Sequence, residues 1–71
     1  MFTIEFVIVR LGVPSVVERM TSGLAQVSDV ERSARALLKG VRARHPDRLP
    51  DAYQILDDGG RVIVRSWERT V

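Results

Sequence analysis

Phe2, Ile4, Phe6 and Ile8 alternate with Thr3, Glu5, Val7 and Val9, and this period of two in a β-branched, aromatic run predicts a strand. The first set forms a core face. The second begins polar and turns apolar at Val7, Val9 and Leu11, so its far end needs cover from protein or from a partner. Gly12 to Ser15, with Pro14 inside, reads as a turn. Residues 15–27 admit two readings. Ser15 and Glu18 stand at capping-box spacing and Val16, Val17 and Met20 fit a helical period. Against that, Val16-Val17 and Thr21 favour a strand, and a short turn after the first strand delivers an antiparallel partner. The strand is preferred, with Gly23 ending or bulging it.

From Ser28 to His45 the period changes to that of a helix. Val30, Ala34, Leu37, Leu38 and Val41 gather into one stripe. Ser28 and Glu31 make a capping box, acidic Asp29 and Glu31 occupy the first turn, and Arg42 and Arg44 the last, matching the helix dipole. Pro46 biases His45 out of the helix. Residues 46–51, with Pro46 and Pro50, form a connection. Ala52 to Asp57 and Arg61 to Trp67 then flank Asp58-Gly59-Gly60, and a type I′ turn at Asp58-Gly59 would pair Ile55 with Val62 and Tyr53 with Val64. The opposite face of that hairpin carries Gln54, Leu56, Arg61, Ile63, Arg65 and Trp67.

These elements predict one α+β domain over residues 1–71: an antiparallel sheet in ββαββ order, its second strand the least determined, with one long amphipathic helix on one face. The stripe would cover Phe2, Ile4, Phe6, Ile8, Tyr53, Ile55, Val62 and Val64. The other face would stay partly bare.

Composition narrows the chemistry. The chain has no cysteine and one histidine, so neither a disulfide nor a tetrahedral zinc site of the usual ligands can be built. No cofactor or metal is expected. The N-terminus lacks the basic-then-apolar layout of a secretory signal, and no apolar run approaches the ~20 residues of a membrane span; a soluble cytoplasmic protein is expected. Net charge is +2, and the positive excess lies in the helix and its exit rather than in the first strands.

Three constellations stand out. Arg32, Arg35, Lys39 and Arg42 project from one side of the helix, and Arg61, Arg65 and Arg69 recur near Trp67 on the last strand; together they make a candidate nucleic-acid surface, because guanidinium groups hold phosphates and an aromatic ring stacks on bases. A solvated helix face and a protective edge strand are the simpler readings. Val7, Val9, Leu56, Ile63 and Trp67 make a candidate protein interface on the uncovered sheet face. Ser33, Ala36, Gly40 and Ala43 form a small-residue stripe that would admit a close neighbour. Catalysis finds little support: His45 beside Asp47 suggests an oriented imidazole, but a helix-terminal cap explains it more simply, and Asp57 and Asp58 are explained by their turn. The sequence therefore predicts a non-catalytic interaction module, self-associating as a dimer through the bare sheet face, with nucleic-acid binding as the alternative.

Overall fold

The computed structural model describes residues 1–68. Its elements run β1 (Phe2–Arg10), β2 (Val13–Ser22), α1 (Val27–Arg44), β3 (Ala52–Leu56) and β4 (Val62–Arg65). The strands form one antiparallel sheet in the order β2-β1-β3-β4, so the segment after α1 returns to the centre beside β1. This is the ββαββ, α+β architecture expected from the pattern. The helix lies across β1 and β3.

The preferred strand at residues 15–22 is present and longer than expected, because the turn before it is tighter. Leu11 and Gly12 both take positive φ, at 53° and 78°, which is the two-residue type I′ geometry that matches strand twist. Pro14, expected in the turn, instead sits in β2 opposite Val9. A proline is tolerated there because β2 is an edge strand and its missing donor would have faced outward. Between Phe6 and Val7 the register shifts, with Phe6 opposite Glu18 and Val7 opposite Val16; Val17 is the extra residue of a bulge.

The helix begins one residue earlier than its supposed cap. Gln26 is the N-cap and makes no side-chain cap bond, while its carbonyl accepts from the N–H groups of Asp29 and Val30 at 3.1 Å. The apolar stripe extends back to Val27, which draws Ser28 inside the first turn where it cannot cap. Glu31 turns to the sheet instead and accepts the Tyr53 hydroxyl at 3.2 Å. The C-terminal end is as expected: the His45 N–H closes on the Arg42 carbonyl at 3.2 Å, before Pro46.

The core joins Ile4 and Phe6 of β1, Tyr53 and Ile55 of β3, and Val30, Ala34 and Val41 of α1, with Phe2, Met20, Leu38 and Val64 packed around them. Three expected members differ. Leu37 is 42% exposed; it lies at the margin of the stripe, on the flank it shares with Arg44, which reaches Glu18 of β2. Ile8 is only partly buried and lies outside this cluster, since its stretch of β1 runs out toward the hairpin tip. Val62 pairs with Leu56 rather than Ile55.

That last difference comes from the turn. The loop has three residues, not two: the Asp57 N–H bonds the Arg61 carbonyl at 2.9 Å and the Gly60 N–H bonds the Asp57 carbonyl at 3.0 Å. Gly60, not Gly59, takes the positive φ, at 81°. Asp57 selects this loop by accepting the N–H groups of Gly59 and Arg61 on one carboxylate oxygen, each at 2.9 Å. A second shift leaves Ile63 unpaired, so Val64 stands opposite Ile55.

Gly40 has open surroundings: a Cβ there would meet only the Arg44 Nη1, at 3.8 Å. Gly40→Ala is expected to stabilise the protein by about 0.5–1 kcal/mol, because alanine loses less backbone entropy in a helix. Gly60→Ala is expected to destabilise by about 1 kcal/mol, since the loop holds that residue in the left-handed region. Urea denaturation of both variants checks the two signs.

Candidate interaction surfaces

With Ile4, Phe6, Tyr53 and Ile55 turned to the helix, alternation sends Glu5, Val7, Val9, Ala52, Gln54 and Leu56 to the other face. The register aligns Arg19 of β2, Glu5 of β1, Gln54 of β3 and Arg65 of β4 in one row across all four strands. Glu5 is 5% exposed and Gln54 6%. The Glu5 carboxylate accepts the Arg19 Nε on one oxygen and the Gln54 amide on the other, both at 2.6 Å. Both oxygens are thus engaged, as a buried carboxylate requires. Sequence reading placed Glu5 on a polar face and missed this row. Its signal was an acid within an apolar strand and an amide within another, each central and each buried.

The five candidate interface residues do not form one patch. Val7 is fully buried within the single chain and offers nothing to a partner. Val9 and Leu56 are partly exposed on the face away from α1. Ile63 is 39% exposed and lines a groove of about 730 Å³ between α1 and the β4 edge, whose walls include Leu38, Tyr53 and Val64. Trp67 is largely covered, in a turn closed by the Glu68 N–H on the Arg65 carbonyl at 3.1 Å, and its indole Nε1 is buried without a partner among the described residues.

The basic candidates divide as well. Arg32 pairs with Asp29 at 3.5 Å, and Arg42 donates to the Pro50 carbonyl at 2.8 Å, tying the helix to the loop before β3. Arg35 and Lys39 are exposed and have no ion-pair partner among the described residues. Arg65 pairs with Glu68 at 3.5 Å, Arg61 is exposed beside the hairpin loop, and Arg69 lies outside the described residues. The helix row and the strand arginines belong to opposite sides of the sheet and meet only at the α1–β4 groove, which Arg35 lines from the helix and Arg65 from the strand. The small-residue stripe is solvent-facing at Ala36, Gly40 and Ala43.

His45 is oriented by Glu18 of β2, not by Asp47: its Nε2 lies 2.8 Å from one Glu18 oxygen, and Arg44 donates to both. The hydrogen bond from Arg44, and after it that from His45, lowers the Glu18 carboxyl below its ordinary range, and the same pairing raises Arg44. This cluster pins the end of α1 to β2. Among the described residues no group of His, Cys, Asp or Glu could hold a metal ion, and no helix is long and apolar enough to cross a membrane.

Because the folded carboxyl of Glu18 titrates below the unfolded one, its contribution is complete above the unfolded carboxylate pKa and disappears as pH falls through the folded value. Glu18→Gln is therefore expected to lower stability at neutral pH by the small amount typical of exposed pairs, with the gap from the parent closing in acid. Urea midpoints from neutral pH down to pH ~3, below an ordinary carboxylate, measure that closure. Compared with family models, curated proteins and solved structures, the chain matches none.

Proposed function

We propose that this chain is a small non-catalytic interaction module that self-associates as a homodimer, using its sheet as the contact surface. The observation that carries the reading is the apolar surface beyond the reach of the single helix: Ile63 is 39% exposed at the sheet edge, and Val9 and Leu56 are partly exposed on the face away from α1. A chain of 71 residues sits near the size at which one core only marginally suffices, so covering such surface in a partner stabilises it.

A second reading, nucleic-acid binding, draws on one observation: Arg35 and Lys39, a helical turn apart, have no acidic partner among the described residues. Phosphates would neutralise them and release counterions.

Light scattering and nucleic-acid anisotropy on the same stock test both. The expected result is a mass rising to that of a dimer with concentration, together with no binding of single-stranded or duplex nucleic acid at low salt. A monomer at every concentration overturns the first reading. Salt-sensitive binding whose log–log slope falls by about 2 in the Arg35→Gln/Lys39→Gln variant would put the second in its place.

A further inference from the structure

We infer that the tip of the β1–β2 hairpin is a peripheral membrane anchor: Leu11 and Val13 enter the interfacial layer of a phospholipid bilayer, with Arg10 at the phosphates. This contact is distinct from self-association through the sheet and does not depend on it. It needs no spanning segment, because side chains lodged at the boundary between headgroups and acyl chains never cross the bilayer.

Leucine is ill suited to the place it holds. The two-residue turn puts Leu11 at φ 53°, in the left-handed region that asparagine or glycine fills at the first position of a type I′ turn and that costs a bulky side chain stability. Nothing in the fold offsets that cost, since Leu11 is fully exposed. An unfavourable backbone state under an aliphatic side chain that packs on nothing points to a role outside the fold. Leu11 is not alone at this end. Val13, across the turn, is 66% exposed, and Leu49 of the loop before β3 is 46% exposed. Val13 and Leu49 line one hollow of about 660 Å³ together with Arg10 and Arg48.

Size and charge decide what covers the tip. A specific protein partner buries roughly 800 Å² on each side of a standard interface, far more than two side chains on a hairpin turn present. Lipids rearrange around a protruding side chain and require no matching surface. Arg10 and Arg48 have no ion-pair partner among the described residues; Arg48 donates to the Ser15 hydroxyl at 3.0 Å. Arg10 adjoins Leu11 in the chain, so its guanidinium stands at headgroup depth when Leu11 is inserted, and a lipid phosphate accepts from it there. Asp47 and Asp51 line the same hollow and balance the two arginines, with Asp51 already accepting the Val9 N–H at 3.2 Å. Long-range attraction to an anionic surface is therefore slight, and apolar insertion carries most of the binding. Two aliphatic side chains hold fewer methylenes than one myristoyl chain, itself a marginal anchor, so the contact is weak and reversible.

Equilibrium co-sedimentation of the full chain with phosphatidylcholine vesicles, and with vesicles that also contain phosphatidylglycerol, tests the anchor at high lipid concentration. The parent is expected to bind both, at most a few-fold better when the anionic lipid is present. Leu11→Asn is expected to cut the partition coefficient about tenfold while raising the urea midpoint, because asparagine suits the turn; binding lost in this way is not lost fold. Val13→Thr is expected to weaken binding less, by about threefold. Leu24→Asn is expected to leave it unchanged, since Leu24 is also exposed but follows the opposite end of the hairpin, where Ser22 pairs with Phe2. A parent that stays in the supernatant with both vesicle types overturns the anchor. So does binding confined to the anionic vesicles and unaffected by Leu11→Asn, which assigns it to Arg35 and Lys39 of α1. If vesicles are not bound and Leu11→Asn instead lowers the mass seen by light scattering, the tip is a contact between copies.

Discussion

One helix cannot cover four strands, and most of this molecule follows from that mismatch. Strands spaced at about 4.8 Å put the outer two about 14 Å apart, while a helix with its side chains is about 10 Å across. The chain resolves the mismatch by setting α1 over the two central strands, where Val30, Ala34 and Val41 meet Ile4, Phe6, Tyr53 and Ile55. Returning β3 to the centre beside β1 makes this efficient, because both strands under the helix then carry the largest side chains. The outer strands receive only flanking contacts, from Met20 on β2 and Val64 on β4. Leu37 and Ile63 are exposed for the same reason: each projects where the helix or the sheet has run out of partner.

The face without a helix is held by different means. A buried carboxylate at Glu5 is costly unless its oxygens are satisfied, and cross-strand register supplies both partners without a loop or a second layer. Arg19 reaches it from the edge with its head still in water, as arginine stems allow. The row thereby crosses from β2 to β3 and couples strands that share no direct ladder. It also removes acidic charge from the surface of that face, leaving Arg19 and Arg65 as its exposed charges.

The fold was legible because its main signals are periodic: alternation in β1, the stripe in α1, and the glycine turn between β3 and β4. What escaped was everything set by a single local hydrogen bond. Asp57 accepting two backbone donors lengthened the turn by one residue and so moved Val62 off the core face, and the extra residue at Ile63 then returned Val64 to it. Pattern alone cannot count such residues, since a one-residue shift exchanges the two faces of a strand. The candidate surfaces were affected most. Val7 was correctly assigned to the face away from the helix but is closed over within the chain, and Ile63 belongs to a groove rather than to that face. The helix cations were legible as a row, but which of them are neutralised was not, because Asp29 and Pro50 reach Arg32 and Arg42 only once the chain is folded.

The ion pairs explain why a nearly balanced composition still yields directional surfaces. Glu18 joins Arg44 and His45 on the β2 flank of the helix, so that flank is electrically closed and fastened to the sheet. On the opposite flank Glu31 is turned to Tyr53, and Arg35 and Lys39 have no ion-pair partner among the described residues. The groove beside β4 is nevertheless of mixed charge, because Glu31, Asp51 and Glu68 line it together with Arg35 and Arg65.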